Sequence, residues 1–351
     1  MDHKQLQKIA VCTRYSELGA SSRLRFYAYK ELLGQQGITP EFFPLLNDGY
    51  LKKLYAGRKS RLSGAVSLAK RFFSLPVMPQ KMLIEYELMP FLPYEVESRL
   101  LADRRYLLAF DDAVWEKYRG SKLEGKFEKL ASGASGIIAA NNELAEYLGK
   151  FNGNIVKIPT AIELARYRTS DDKYPRFTLC WIGTPVTYRE CLLPFAGMLQ
   201  KAAKELDFQL LVIAKNSLEP IPGVDMKFLD WSIELECDIL KKCHAGIMPL
   251  PDTSFMRGKS AYKLIQYLGA GLPSIASPVG ENAVLLSRME VGFAARSDSE
   301  WINALKQLRS DNALYKKLSS NARQLAREYS TEKYAPILAD FIRKNLFETA
   351  K

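Results

Sequence analysis

Three basic side chains that could bind an anion are concentrated in one short stretch: Arg257, Lys259 and Lys263. Ser260 is predicted to cap a helix there, so backbone N–H groups would point into the preceding loop. Cations at a helix N-terminus oppose the helix dipole, and a bound anion would reverse that repulsion. The pattern predicts a cradle for a diphosphate. The alternative is that the lysines extend into solvent from an ordinary surface helix.

The elements that would position this cradle form a strand–helix–strand unit, which is typical of a parallel sheet. We predict a buried strand over residues 245–250, a helix over 260–270 and a strand over 273–276. A second tight loop follows, in which Gly280 would let a ligand approach the backbone closely. Glu281 and Asn282 belong to the same candidate site.

A pair of carboxylates, Asp111 and Asp112, follows the predicted strand 105–110. Two carboxylates at the end of a parallel strand are costly unless they are paired or functional. They are candidates for orienting an acceptor hydroxyl or accepting its proton. A capped turn without chemistry is the alternative. Glu85 and Glu87, on the predicted neighbouring strand 81–88, are weaker candidates.

A second basic helix start lies near the N-terminus, after a predicted strand over residues 8–15. Ser21 or Ser22 is predicted as the N-cap, followed by Arg23 and Arg25. The helix is predicted to continue to a C-terminal stop at Gly37. The alternative is a solvated basic helix start.

Composition excludes several classes of protein. The 351 residues are 47% hydrophobic and 25% charged, as in globular proteins with room for two domains. No apolar run is long enough to span a membrane. The first residues lack the apolar region of a signal peptide, so we do not expect export. With two histidines and five scattered cysteines, we predict no metal site and no cofactor.

The formal net charge of +11 indicates an anionic partner, for which nucleic acid, an anionic membrane and a phosphorylated small molecule are the candidates. From Gly49 to Ile84 the chain contains no acidic residue, and aromatic and aliphatic residues alternate with its lysines and arginines. The segment 51–73 is therefore predicted to bind an anionic membrane surface. An RNA-facing surface, or helices that simply turn their charges outward, are the alternatives.

Strands and helices alternate in both halves of the chain, which predicts an α/β fold of two doubly wound parallel sheets. We predict an N-terminal domain over residues 1–165, a second domain over residues 166–331 and a final helix, 332–351, that crosses back to the first domain.

The central stretch resembles the donor-binding signature of glycosyltransferase family 4, whose members have the GT-B fold. The resembling segments are residues 246–250, Gly258–Lys259, Lys263 to Tyr267, 271–273 and 277–280. The family's usual pair of glutamates falls on Gly258 and Gln266 here. The sequence therefore resembles a variant branch that lacks the pair.

The resemblance implies two Rossmann-like domains facing a central cleft. On the donor side it implies contacts from Gly183, Thr184, Gly258 and Gln266, with Trp231 beside the nucleotide base. For Trp231, a place in the core is the alternative. On the acceptor side the implied residues are Gly19, Ser22, Arg23 and Arg25.

The predicted function is transfer of a sugar from a nucleoside-diphosphate sugar to a saccharide or lipid-linked saccharide acceptor in bacterial surface polysaccharide synthesis. We expect a retaining, metal-independent enzyme in the cytoplasm, peripheral to the membrane. The main alternative is a catalytically inactive scaffold of a polysaccharide assembly complex. A nucleic-acid-binding module and a GT-B epimerase are less favoured, and we predict no nucleic-acid partner.

Overall fold

The computed structural model describes residues 7–55, 61–214 and 218–348 of the chain. They divide into two compact units. Unit 1 contains the described residues up to Ala161 and those from Thr331 onward, and unit 2 is the segment Ile162–Ser330. Each unit is built on one six-stranded sheet whose neighbouring strands are all parallel.

The strands of unit 1 are β1 (Gln7–Cys12), β2 (Ile38–Phe42), β3 (Lys81–Glu85), β4 (Arg105–Phe110), β5 (Gly136–Ala139) and β6 (Ile155–Lys157). Their order across the sheet is β2-β1-β3-β4-β5-β6. The chain changes its direction of travel across the sheet between β1 and β3. Loops diverge at such a switch point, which is where open parallel sheets bind ligands.

The strands of unit 2 are β7 (Thr178–Ile182), β8 (Gln209–Ile213), β9 (Met226–Leu229), β10 (Ala245–Met248), β11 (Ser274–Ala276) and β12 (Gly292–Ala294). Their order is β12-β11-β10-β7-β8-β9, with the switch point between β7 and β10. The strands β7, β10 and β11 are buried along their whole length, as expected for a sheet covered on both faces.

The helices are α1 (Ala20–Arg25), α2 (Lys30–Gln35), α3 (Asp48–Tyr55), α4 (Arg61–Ser74), α5 (Tyr94–Leu101), α6 (Lys126–Gly133), α7 (Asn142–Gly149), α8 (Pro185–Thr187), α9 (Ala196–Glu205), α10 (Glu236–Leu240), α11 (Ser254–Arg257), α12 (Tyr262–Gly269), α13 (Glu281–Arg288), α14 (Asp298–Ser310), α15 (Asn312–Ala326) and α16 (Thr331–Ile342). Helix α16 packs on the sheet of unit 1, where Leu338 and Ile342 share a core cluster with Ile9, Leu107 and Ile138.

Both predicted serine caps are wrong. Helix α1 begins at Ala20 with Gly19 as its N-cap and no side-chain capping bond. Helix α12 begins at Tyr262, after Ala261 in the left-handed backbone region (φ +50°), and Ser260 does not cap it. The helix predicted to run on to Gly37 is interrupted at Phe26, whose φ of −132° is not helical. That break lets the Phe26 ring enter the core.

The basic segment forms α3 and α4, and its residues 56–60, including Arg58 and Lys59, lie outside the described part of the chain. Lys52, Lys53 and Lys70 are exposed. Arg71 is instead buried, and its guanidinium donates to the carbonyl oxygens of Thr13 (2.8 Å) and Phe43 (2.7 Å). One cation of the segment is therefore structural. No helix among the described residues has the length and apolarity needed to cross a membrane.

Candidate active site

The carboxylate of Glu85, the last residue of β3, joins two loops at the switch point of unit 1. Its Oε2 accepts hydrogen bonds from the Arg14 amide (2.7 Å) and the Ser22 hydroxyl (2.5 Å). Its Oε1 accepts one from the Ser21 hydroxyl (3.0 Å). These serines, predicted as helix caps, therefore hold the loop after β1 against β3. Glu85, which the sequence marked only as a weaker candidate beside Glu87, is 2% exposed.

Burial, with a smaller contribution from the charge of Asp111, raises the pKa of Glu85 from 4.5 to about 7. The hydrogen bonds from Ser22, Arg14 and Ser21 act in the opposite direction because they stabilise the carboxylate. The switch point of unit 1 thus contains a carboxyl group that titrates near neutral pH.

Asp111 and Asp112 follow β4, as predicted, at the same edge of the sheet. The hydroxyl of Tyr86 donates a hydrogen bond to Asp111 Oδ1. Burial and the charge of Asp111 raise the pKa of Tyr86 well above its ordinary value, so its hydroxyl keeps the proton and remains the donor. The Asp111 carboxylate is therefore oriented by a fixed partner, as an acid–base group needs to be.

Glu87 lies in the loop after β3 because that strand ends at Glu85 rather than at the predicted residue 88. Its Oε1 accepts from the Tyr118 hydroxyl (2.9 Å) and its Oε2 from the buried Lys126 ammonium (2.7 Å). Lys126 also pairs with Glu97 at 2.8 Å. Both oxygens of Glu87 thus bind groups of unit 1, and they hold this loop in place.

The arginines of α1 point into unit 1. Arg25 Nη1 donates to the Ile158 carbonyl (2.6 Å), and Arg23 Nη1 donates to the Glu17 carbonyl (3.4 Å). Both side chains are buried. These contacts attach α1 to the neighbouring backbone of unit 1. The acceptor role predicted for Gly19, Arg23 and Arg25 stays a prediction.

In unit 2 the three predicted cradle cations follow β10: Arg257 ends α11, Lys259 lies in the loop after it, and Lys263 is in the first turn of α12. Arg257 Nε pairs with Asp252 Oδ1 at 2.6 Å, in an exposed salt bridge. Lys259 Nζ lies 4.7 Å from the centre of the Phe255 ring, and Lys263 Nζ lies 5.3 Å from that of Trp181. An exposed salt bridge contributes about 0–1 kcal/mol. A cation–π contact contributes about 0.5–1 kcal/mol at an exposed site and about 2 kcal/mol where it is desolvated, and the Trp181 ring is fully buried.

The loop after β11 packs directly on this segment. Gly280 has φ +54°, and a Cβ at this position would lie 2.2 Å from the Arg257 carbonyl oxygen. Only glycine therefore fits here. Below the loops, Asn282 Nδ2 donates to the Ser277 carbonyl (3.1 Å), and Ser277 Oγ accepts from the Leu250 amide (3.0 Å). The structure thus brings together the two predicted loops, with Gly258 and Glu281 beside them in the chain.

Trp231 and Gln266 are linked by two residues that the sequence reasoning missed. The Trp231 indole N–H donates to Glu236 Oε2 (2.7 Å), and the Tyr167 hydroxyl donates to Glu236 Oε1 (3.2 Å). Gln266 Nε2 donates to the Tyr167 hydroxyl (3.3 Å). This network fixes the orientation of the Trp231 side chain, which is half-buried. A base-stacking role for Trp231 stays a prediction.

The turn Gly183–Thr184 follows β7 at the switch point of unit 2. Thr184 and Thr187 form a reciprocal capping box, in which the Thr184 amide donates to Thr187 Oγ1 (3.0 Å). The turn is thereby fixed at the start of α8. Among the described residues, no group of three or more His, Cys, Asp or Glu side chains is arranged to hold a metal ion.

Solved structures share this architecture. Sucrose-phosphate synthase from Thermosynechococcus elongatus has a TM-score of 0.69 at 15% identity, covering 96% of this chain and 98% of the other. WaaG, a glycosyltransferase involved in lipopolysaccharide biosynthesis, has a TM-score of 0.69 at 14% identity, covering 95% and 99%. Anabaena Alr3699/HepE, solved in complex with UDP and glucose, has a TM-score of 0.62 at 14% identity, covering 96% and 100%.

The chain has the GT-B fold. Together with the two parallel sheets, these matches confirm the predicted fold class. At such identities the similarity establishes the GT-B architecture, while membership of glycosyltransferase family 4 remains a prediction. No protein-family model matches the sequence, and no curated protein is significantly similar to it.

The raised pKa of Glu85 predicts a pH-dependent stability. The folded chain keeps this proton up to about pH 7 and the unfolded chain releases it near 4.5, so wild type loses stability as the pH rises through this window. Glu85→Gln removes the titration. From pH 5 to 8, the free energy of unfolding of the variant should therefore gain roughly 2–3 kcal/mol relative to wild type.

Urea unfolding at pH 5, 6, 7 and 8 measures this difference. Glu143→Gln, which removes an exposed carboxylate from α7, is the matched control. If wild type and Glu85→Gln have parallel pH dependences, Glu85 does not titrate as described.

Proposed function

We propose that this protein is a glycosyltransferase, a member of a variant branch of family 4. It transfers a hexosyl unit from a nucleoside-diphosphate sugar to a saccharide or lipid-linked saccharide in bacterial surface polysaccharide synthesis. One observation carries the proposal. At the carboxyl edge of the unit 2 sheet, the Gly280 loop packs against the backbone of Arg257, and Lys259 and Lys263 follow Arg257 in the chain. The UDP and glucose bound in the HepE structure support a nucleotide-sugar donor.

In this proposal the cations of the cradle bind the diphosphate and stabilise the negative charge that develops on it as the sugar leaves. Fixed cations can do this without a metal ion. Gln266 stands where the family has a glutamate, so this position carries an amide instead of a carboxylate. Its Nε2 donates to the Tyr167 hydroxyl. We propose a retaining outcome on the family resemblance. Asp111 or Asp112 serves as the base if the enzyme inverts.

Removing one cradle cation should weaken donor binding. We expect Lys259→Ala and Lys263→Ala each to reduce the binding free energy of UDP by about 1.5–3 kcal/mol, the value of a hydrogen bond to a charged group. Isothermal titration calorimetry measures the affinity. Lys306→Ala, which removes an exposed lysine from α14, is the control. If both cradle variants bind UDP with unchanged affinity, the proposed donor site is contradicted.

Replacing the acceptor-side base should slow the chemical step without affecting the donor. If the enzyme inverts, we expect Asp111→Asn or Asp112→Asn to lower kcat by about 100- to 10,000-fold, with UDP affinity retained. If it retains, we expect a smaller loss, because the pair then only orients the acceptor hydroxyl. Product formation from radiolabelled UDP-glucose measures the rate, and NMR of the product's anomeric proton gives the stereochemistry. Full activity in both variants would contradict a role for this pair.

The second candidate function is an inactive scaffold, and the absence of the glutamate pair at Gly258 and Gln266 favours it. A scaffold that keeps nucleotide affinity binds UDP without turning over the sugar donor. Slow hydrolysis of UDP-glucose by the wild-type protein, lost in Lys263→Ala, would argue against this alternative. The same assay therefore separates the two candidates.

We further propose that α3 and α4 place unit 1 on the anionic cytoplasmic face of a membrane, where a lipid-linked acceptor would be found. Lys52, Lys53 and Lys70 are exposed on these helices. So are two aromatic rings, Phe72 (48% exposed) and Phe73 (77% exposed). Exposed cations beside exposed apolar rings suit the interface of an anionic bilayer.

Neutralising these lysines should release the protein from anionic liposomes. We expect the triple variant Lys52→Gln, Lys53→Gln, Lys70→Gln to lose most of its sedimentation with vesicles containing phosphatidylglycerol, because each cation contributes about 1 kcal/mol near such a surface. A triple Lys→Gln variant at Lys201, Lys306 and Lys317 of unit 2 makes the same change in net charge. Equal sedimentation of the two triple variants contradicts the membrane proposal.

A further inference from the structure

The loop that joins β3 to α5 has an unusual backbone. Tyr86 and Phe91 both lie in the left-handed region, with φ of +63° and +64°. Ala261 is the other non-glycine residue with a positive φ in the described part of the chain. Aromatic residues rarely adopt this conformation, and where they do, the surrounding structure must enforce it.

A buried set of charges enforces it here. Lys126 Nζ is bonded to Glu87 (2.7 Å), Glu97 (2.8 Å) and the Met89 carbonyl (2.8 Å). Glu97 Oε1 accepts from the Leu88 amide at 2.5 Å. These three ionic side chains are almost completely buried, which is costly unless their hydrogen bonds are satisfied. The loop is therefore held in one conformation by contacts with several successive residues.

The loop displays one exposed aromatic ring. Phe91 is 66% exposed although its backbone is fixed, since its amide donates to the Tyr118 hydroxyl at 3.1 Å. The two rings lie 6.2 Å apart between centroids, inclined by 50°. Tyr118 follows the β4 loop that contains Asp111 and Asp112. The ring of Phe91 thus lies at the edge of the sheet where the acceptor carboxylates are proposed.

The charge around Phe91 selects among ligands. Glu95, in the first turn of α5, is exposed and pairs with Lys129 Nζ at 3.2 Å, so the charges that follow Phe91 in the chain balance each other. A surface without excess positive charge does not attract anionic lipid headgroups or phosphates. A neutral sugar suits it, because the C–H bonds on one face of a pyranose contact an aromatic ring while its hydroxyls bind nearby polar groups.

We propose that Phe91 is a stacking platform for a sugar ring of the acceptor. This inference rests on the proposed glycosyl transfer only in calling the bound sugar an acceptor, because sugar binding at Phe91 can be measured without turnover. The loop's buried charges hold the ring exposed before the sugar arrives, which reduces the ordering that binding requires.

Saturation-transfer NMR with a defined panel tests the proposal: methyl glycosides of glucose, galactose, mannose and N-acetylglucosamine, together with lactose and maltose. We expect at least one panel sugar to bind wild type, Phe91→Ala to weaken that binding about fivefold or more, and Phe91→Tyr to retain it. Val77→Ala, which removes another exposed apolar side chain of unit 1, should leave it unchanged. If no panel sugar binds, or if binding is equal in wild type and Phe91→Ala, the platform is excluded.

Two further measurements separate this inference from the proposed function. UDP affinity should be the same in wild type and Phe91→Ala. If wild type does not bind UDP, the donor site is refuted while the platform stands. Phe91→Gly should unfold at a higher temperature than Phe91→Ala, because glycine relieves the left-handed backbone, and should lose the sugar to the same extent. Sugar binding retained in Phe91→Gly would refute the role of the ring.

Discussion

Parallel pairing of the strands is the constraint on which both units depend. Because every strand of a sheet runs in the same direction, every β–α loop of a unit emerges at one edge. In unit 1 that edge collects Glu85, Asp111 and Asp112, and in unit 2 it collects Lys259 and Gly280. Side chains far apart in sequence become neighbours through strand register alone, and the chemistry follows from which residues the loops supply.

The two sheet edges carry charges of opposite sign in different surroundings. In unit 1, carboxylates are buried, and hydroxyl, amide and ammonium donors stabilise them, as Ser22 does for Glu85 and Lys126 does for Glu87. In unit 2, cations stay near the surface and lie over the Phe255 and Trp181 rings. Buried carboxylates with fixed donors suit the handling of protons, whereas cations near the surface suit a ligand that brings its own negative charge.

Backbone strain marks the same regions. Among the described residues other than glycine, positive φ occurs at Tyr86 and Phe91 in the loop after β3 and at Ala261 before α12. Gly280, with its positive φ, seats its loop on the Arg257 backbone. Such conformations persist only where surrounding contacts determine them, and they are found at sites that must be preorganised for a ligand. The strained positions therefore coincide with the two edges and not with the outer faces of the helices.

Sequence by itself determined the architecture, because hydrophobic runs and turn residues are local signals: the strand at Arg105–Phe110, the aspartates after it and the glycine of the 280 loop were all readable from it. It could not determine the partners of buried charges, since those contacts join distant residues. Arg71 resembled a surface cation until its bonds to Thr13 and Phe43 were known, and Ser22 resembled a cap until Glu85 was placed beside it. The fold thus followed from periodicity, and tertiary structure decided which polar residues are buried and which partners they bind.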